Sequence, residues 1–185
     1  MTTLIQPFSV KIDLVRFLLD RPDRHNVRRA SAMRGYYADA AAMEKLIAAG
    51  DPLHYETFEK AVPEEAGHLL FCISRIQPGL VGQECFMTKG HYHQIAQTGE
   101  VYYCLQGCGL MVMKTVHGQG ACEPMEPGSV VYVPPYWAHR SVNTGGEPLT
   151  MLAIWPAEAG HNYGDIEKEG FPKLVFQRNG SISIE

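Results

Sequence analysis

From about residue 69 onward, apolar and polar residues alternate in short runs, and glycine or proline separates one run from the next. Alternation with a period of two is typical of β-strands that bury one face. The runs are short and closely spaced, which favours antiparallel strands in a sandwich or barrel. They read LLFCISRI, GEVYYCLQ, GLMVMKTV, SVVYVP and LTMLAIW.

Local signals indicate a hairpin and a helix at the two ends of the chain. Asn179-Gly180 lies between two β-rich runs, a pairing typical of a tight hairpin turn. Near the N-terminus, DAAAMEKLIAAG offers Asp39 as a helix N-cap and Gly50 as a stop. We therefore predict a mainly β protein forming a single domain over residues 1–185, with an N-terminal extension over 1–66 containing one or two helices and a β-barrel over 67–180.

Charge and cysteine usage narrow the class of protein. The 185 residues carry a net charge of -4, so no general positive field would attract nucleic acid or an anionic membrane. The five cysteines include no C-x-x-C pair, which is typical of reduced thiols in a cytoplasmic protein. No apolar stretch is long enough to cross a bilayer. Any anionic ligand must be held by a local site.

The segment TKGHYHQIAQTGEVYYCLQGCG contains the clearest candidate chemistry. In an extended chain His91 and His93 point the same way, and Glu100 shares a face with Tyr102 in the next run. A neighbouring strand could place Glu100 beside the two histidines. A third imidazole, His139, follows a later strand in GSVVYVPPYWAHRSVN. Taken alone, the His-x-His pair is equally compatible with exposed polar alternation.

Three histidines and one carboxylate form a mixed nitrogen and oxygen set. Such a set suits Fe(II), Mn(II), Ni(II), Co(II) or Zn(II), and it is too rich in nitrogen for calcium or magnesium. Four protein ligands would leave coordination positions open for substrate or water. The set therefore indicates a metal site that can bind substrate, rather than a structural site with no open coordination position.

The spacing of these residues resembles the two motifs of the cupin family. The first motif has His-x-His and a glutamate followed by six residues and a glycine; the second has a fixed series of glycine, proline, histidine and asparagine. In this chain the series is Glu100 and Gly107, then Gly128, Pro134, His139 and Asn143. Two departures stand out: six residues separate His93 from Glu100, and Tyr136 occupies a position where the second motif usually has glycine.

Longer sequence segments make the chain similar to the cupin-type glucose-6-phosphate isomerases of archaea and some bacteria. They are FMTKGHYH, GEVYYCLQGCGLM, MEPGSVVYVPPYWAHRSVNTGGEPL and LAIWPAEAGHNYG, with SAMRGYY as a weaker match. The resemblance implies a jelly-roll barrel, a homodimer, and interconversion of glucose 6-phosphate and fructose 6-phosphate, shared by glycolysis and gluconeogenesis. It also implies one divalent metal per subunit, held by His91, His93, Glu100 and His139. Iron is the metal that we expect before the others.

The same resemblance implies the substrate contacts. Thr88 and Gly90 fall on phosphate-binding positions of the family, and the other matched pocket positions are Tyr55, Tyr102, His161 and Tyr163. Lys89 adds a charge nearby, although alternation could turn it away. Isomerisation moves a hydrogen between C1 and C2, and Glu100 is the natural base for an enediol route. A direct hydride shift, with Glu100 acting only as a ligand, remains open, and so does the identity of the metal.

Other readings of the sequence also remain open. A metal cupin could be an iron dioxygenase or a mannose phosphate isomerase, and a non-catalytic cupin could sense a sugar. Four histidines lack partners at ligand spacing and are expected to be exposed to solvent: His25, His54, His68 and His117. Arg28, Arg29 and Arg34 are expected to form a solvated or subunit-facing basic patch.

Overall fold

Antiparallel strands are the predominant regular element of the structure, a computed structural model that describes residues 4–185. The first seven strands are β1 (Ile12–Asp13), β2 (Leu18–Leu19), β3 (Arg24–Arg29), β4 (Leu53–Lys60), β5 (Leu69–Ile76), β6 (Leu80–Val81) and β7 (Glu84–Cys85). The others are β8 (Glu100–Gln106), β9 (Gly109–Thr115), β10 (Gly120–Met125), β11 (Val130–Val133), β12 (Trp137–Asn143), β13 (Leu149–Pro156), β14 (Val175–Arg178) and β15 (Ser181–Ile184). The prediction of a mainly β barrel is confirmed.

Two sheets enclose the main core. One has six strands in the order β11-β8-β13-β5-β4-β3, and the other has three in the order β10-β9-β12. Alternate residues in the first part of β8 are buried, β9 is buried along most of its length, and Cys104, Met111 and Met151 are fully covered. A four-stranded sheet, β15-β14-β7-β6, and the pair β1-β2 complete the described strands.

The helices are short and lie outside the barrel. A 3-10 helix spans Ala30–Met33, α1 spans Ala40–Ala48, and α2 spans Gly164–Glu169. The predicted cap of α1 is confirmed, because the Asp39 carboxylate accepts a hydrogen bond of 2.8 Å from the Ala42 backbone N–H. The hairpin at Asn179-Gly180 is also confirmed, since β14 and β15 pair directly across it. Neither α-helix is long and apolar enough to span a membrane, within the described part of the chain.

The segment before residue 67 contributes directly to the sheet. β4 pairs with β5 along most of its length, and β3 pairs with β4 at the sheet edge. Residues of β4 therefore face the barrel interior beside β5. The division into an extension over 1–66 and a barrel over 67–180 within a single domain stays a prediction.

His54, expected at the surface, is fully buried on β4, so that prediction was wrong. Its ring stacks on Phe86 with centroids 3.8 Å apart, and its Nε2 lies 2.6 Å from the Tyr37 hydroxyl. Burial lowers the pKa of His54 to about 3, so the imidazole is neutral. Its position follows from contacts with Tyr37, in the loop between the 3-10 helix and α1, and with Phe86, which a strand pattern does not reveal. His25 and His117 are exposed as expected.

Candidate active site and metal centre

Three imidazoles and one carboxylate meet inside the barrel. Ligand atoms of His91, His93, Glu100 and His139 all lie within 4.8 Å of one another. Oε2 of Glu100 is 3.1 Å from Nε2 of His93 and 3.0 Å from Nε2 of His139. The four residues proposed as ligands from the sequence are thus neighbours in space.

Two strands and one irregular segment bring these groups together. Glu100 begins β8, and His139 lies in the middle of β12. His91 forms a single antiparallel bridge with His139, with backbone hydrogen bonds of 3.2 and 3.1 Å. The segment around His91 and His93 is not the regular strand that the sequence suggested, because it makes isolated bridges only. Both rings nevertheless reach the same point.

The long spacer before Glu100 has a structural role. Thr98, within that spacer, places its Oγ1 2.8 Å from Nδ1 of His93, which orients the ring. Tyr136, the other departure from the motif, has φ of 70° and donates its backbone N–H to the Ala96 carbonyl at 2.8 Å. Tyr136 thus adopts the left-handed conformation for which glycine is the usual residue. The two departures from the cupin pattern contact each other.

The protonation states of the cluster fit a divalent metal. Removal from water, with neighbouring His139 and His161, holds the pKa of His91 well below its usual range, so the ring is neutral. Burial opposes ionisation of Glu100, but His139 and His93 outweigh it and hold the pKa below the usual range. Nε2 of His91 is buried without a hydrogen-bond partner among the described residues. A neutral His91 ring with an orphaned nitrogen, beside an ionised carboxylate, suits the binding of a metal.

A single cavity runs from this cluster to the protein surface. All six residues predicted to bind substrate line it: Tyr55, Thr88, Gly90, Tyr102, His161 and Tyr163. The Tyr102 hydroxyl lies 3.1 Å from Nε2 of His139. The His161 ring lies 4.4 Å from that of His91 and stacks on Tyr163 with centroids 5.8 Å apart. The residues therefore surround one space, while their role in binding stays a prediction.

Thr88 and Gly90 are held rigidly at the cavity wall. The Thr88 backbone N–H donates to the Ser141 carbonyl at 2.9 Å, and the Thr88 hydroxyl accepts from the Ser141 N–H at 3.1 Å. Gly90 has φ of 77°, and a Cβ there would lie 2.7 Å from the Phe171 ring and 2.9 Å from Cβ of Arg140. Only glycine fits this position without rearrangement of its neighbours.

Sequence reasoning missed part of the cavity wall. Arg28, expected in a solvated or subunit-facing patch, lines the cavity instead, and Lys89 faces it as well. The remaining missed wall residues include Asn26, Thr57, Glu59, Cys72, Ser74, Ser141 and Trp155. Alternation supplied a usable signal, because Thr57 and Glu59 share a strand face with Tyr55. No comparable local signal distinguished Arg28 from Arg29.

Comparison with known proteins agrees with this geometry. A family model described as Glucose-6-phosphate isomerase (GPI) matches residues 27–184. The chain belongs to the glucose-6-phosphate isomerase family. A Glucose-6-phosphate isomerase of Thermococcus gammatolerans is 50% identical over 179 residues, covering 97% of this chain and 94% of the relative. That of Pyrococcus furiosus is 45% identical with the same coverage.

Among solved structures, oxalate decarboxylase from Bacillus subtilis is similar with a TM-score of 0.45 and 21% identity. The match covers 58% of this chain and 26% of the oxalate decarboxylase chain. This chain thus matches about a quarter of that protein. The resemblance to cupin-type glucose-6-phosphate isomerases stated from the sequence is confirmed at the level of the family.

Proposed function

We propose that this protein is a metal-dependent aldose-ketose isomerase that interconverts D-glucose 6-phosphate and D-fructose 6-phosphate. The observation that supports it most strongly is the convergence of His91, His93, Glu100 and His139 at one end of a cavity. Relatives that carry this isomerase name over nearly the whole chain support the choice of reaction. In this proposal the four residues hold one divalent transition metal per subunit, and iron is the metal in the cell.

The donor set suits such a metal because imidazole nitrogens and a carboxylate oxygen bind first-row divalent ions well. When bound, the ion supplies Lewis-acid stabilisation of the negative charge that develops on the substrate carbonyl oxygen. The hydrogen bond from Nδ1–H of His93 to the Thr98 hydroxyl, which itself donates to the Ile95 carbonyl, keeps one ligand ring oriented.

Glu100 is proposed as the base that moves the proton. Its carboxylate takes the proton from C2 of the aldose as O1 gains a proton, which leaves the electron pair in the C1–C2 double bond of an enediol. The protonated carboxyl then returns the proton to C1 as O2 loses its proton and the C2 carbonyl forms. The side chain is 4% exposed, so exchange of that proton with bulk water is slow. The low pKa of Glu100 makes its carboxylate a weaker base, and the variant Glu100→Gln tests its role directly.

Residues of the cavity wall are proposed to bind the phosphate and the sugar of the substrate. The Thr88 hydroxyl and the Gly90 backbone N–H are proposed to bind the phosphate. Tyr55, Tyr102, His161 and Tyr163 are proposed to surround the sugar, because all four line the same space. His161 and Tyr163 form a stacked pair beside His91, so they would cover the reacting carbons and limit access of water.

The proposal also covers the pathway, the cellular location and the oligomeric state. The substrate pair places the reaction in glycolysis and gluconeogenesis, and five free cysteines support a cytoplasmic location. A homodimer is supported by exposed apolar side chains at one sheet edge, including Val130 and Tyr132. Light scattering on the purified protein tests the dimer, and a monomeric mass at micromolar concentration would contradict it.

The decisive experiment measures glucose 6-phosphate formed from fructose 6-phosphate by the purified protein. Activity should disappear after chelation and return when Fe(II) is restored, with Mn(II), Ni(II), Co(II) and Zn(II) tested in parallel. Absence of turnover with every metal would overturn the proposal. Parallel incubation with mannose 6-phosphate and measurement of oxygen uptake report a mannose phosphate isomerase or a dioxygenase. Sugar phosphate binding without turnover would indicate a sensor.

A further inference from the structure

Arg28 is a half-buried cation that faces the cavity without a carboxylate partner. It lies on β3, and its side chain lines the same cavity as Glu100 and His139. Its Nη1 donates to the Val27 carbonyl at 3.3 Å, and its guanidinium also interacts with the Tyr55 hydroxyl. Within residues 4–185 no aspartate or glutamate lies at salt-bridge distance from it. By contrast, Arg24 and Arg34 each bind a glutamate carboxylate.

Arg28 lies at the end of the cavity where Thr88 and Gly90 are found. The β3–β4 register places Arg28 opposite Tyr55. Burial raises the pKa of Tyr55 to about 12, and both the Arg28 charge and the Lys89 backbone N–H act against this rise. Tyr55 is therefore a neighbour of both Arg28 and the Thr88–Gly90 segment.

Charge is distributed unevenly along the cavity wall. Arg28 and Lys89 are the two arginine or lysine residues of the described wall, and Nζ of Lys89 lies over the Tyr36 ring at 4.8 Å. The wall carboxylates are Glu59 and Glu100. Glu59 lies further along β4 from Tyr55, about 13 Å away at roughly 3.3 Å per residue. Glu59 is paired with Arg24, and Glu100 lies among the candidate metal ligands. Arg28 and Lys89, by contrast, have no carboxylate partner among the described residues, so a dianion is favoured at the Arg28 end of the cavity.

We infer that the Arg28 guanidinium binds the phosphate of the substrate and makes the enzyme select phosphorylated over unphosphorylated sugars. The inference rests on the proposed isomerase function, to which it adds the counter-charge that the Thr88 hydroxyl and the Gly90 N–H lack. A guanidinium donates two parallel hydrogen bonds to a phosphate, which gives both strength and orientation. Partial burial strengthens these bonds relative to those of an exposed arginine.

The test compares Arg28→Gln, Arg28→Lys and the control Arg29→Gln. Arg29 is adjacent in sequence and exposed, lies outside the cavity wall, and donates to the Asp51 carbonyl at 2.9 Å. Arg28→Gln should raise KM for fructose 6-phosphate by about 10- to 100-fold, with a smaller change in kcat. Inhibition by inorganic phosphate should weaken to a similar degree. Arg28→Lys should recover part of the loss, and Arg29→Gln should stay within about twofold of wild type.

The outcomes separate this inference from the proposed function. Wild-type turnover with unchanged KM and phosphate inhibition in Arg28→Gln would overturn the role of Arg28 and leave the isomerase proposal intact. Absence of wild-type turnover would overturn the isomerase proposal itself. A loss of kcat alone, without a change in KM or phosphate inhibition, would also contradict phosphate binding by Arg28. Circular dichroism and metal content establish that each variant is folded and loaded, and Arg28→Lys provides the test if Arg28→Gln does not fold.

Discussion

Nε2 of His139 lies 3.0 Å from Oε2 of Glu100, although the two residues belong to different sheets. His139 is on β12 of the three-stranded sheet, and Glu100 is on β8 of the six-stranded sheet. The candidate metal centre therefore joins the two walls of the barrel. A bound ion would stabilise the folded protein as well as serve the reaction, because the separated ligands cannot meet in the unfolded chain.

Replacement of His139 by alanine should remove most of the metal. The substitution deletes one of four donors and leaves Glu100 with one imidazole partner fewer. We expect metal affinity to fall by about 100-fold or more, with a parallel loss of activity at limiting metal. Elemental analysis after dialysis measures the effect, and His117→Ala, at an exposed turn, is the control. Full metal content in His139→Ala would contradict its role as a ligand.

Glu100→Gln separates the role of a base from that of a ligand. The amide keeps the size of the side chain and one oxygen donor but cannot accept a proton near neutral pH. We expect turnover per bound metal to fall by about 100-fold or more. Near-normal turnover in the metal-loaded variant would exclude Glu100 as the base.

Isotope exchange distinguishes the two chemical routes in the wild-type enzyme. If the proton passes through Glu100, prolonged turnover in deuterium oxide should place deuterium on the transferred position of the product. Mass spectrometry of the sugar phosphate measures this incorporation. Turnover without any incorporated deuterium would favour the hydride shift over the enediol route.

Gly90→Ala should destabilise the protein more than the same change at another left-handed glycine. Gly118 has φ of 81°, and a Cβ added there would have no neighbouring atom within 4 Å, whereas a Cβ at Gly90 would meet the Phe171 ring at 2.7 Å. We expect a loss of about 1 kcal/mol in unfolding free energy for Gly118→Ala and about 3 kcal/mol for Gly90→Ala. Urea unfolding measures both. Equal losses of unfolding free energy would show that the residues around Gly90 rearrange at little energetic cost.

His54 should make stability depend on pH. Its folded pKa of about 3 lies below the ordinary value of 6.5, so between these values the unfolded chain binds more protons. The stability that depends on neutral His54 is complete above about pH 6.5 and is lost as pH falls toward 3. Near pH 5 the wild-type slope should exceed that of His54→Phe by about 1.4 kcal/mol per pH unit.

Urea unfolding at several pH values, in buffer with chelator, measures the His54 effect without a contribution from bound metal. His117→Phe is the matched control, because the same substitution is made at an exposed position. It should leave the slope unchanged. Equal slopes in wild type and His54→Phe would mean that His54 titrates normally in the folded state.

The features that were predictable from sequence are those set by a few neighbouring residues. The Asp39 cap, the Asn179-Gly180 turn and the alternating runs depend on local backbone chemistry, and the structure confirms each. The candidate ligand set could be proposed because its spacing matches a motif. The neutral state of His91 and the orientation of His93 by Thr98 could not, since both depend on burial and on contacts made after folding.

Only the tertiary structure shows which faces of the polar strands β3 and β4 line the cavity. β3 and β4 carry polar or charged residues on both faces, so alternation marks two faces without telling which one is covered. Tyr37 and Phe86 pack on His54 and bury it, while pairing with β4 turns Arg28 inward beside Tyr55. Burial and charge pairing at such positions come from distant segments, and sequence alone therefore determined the local elements and the ligand spacing but not the full cavity wall.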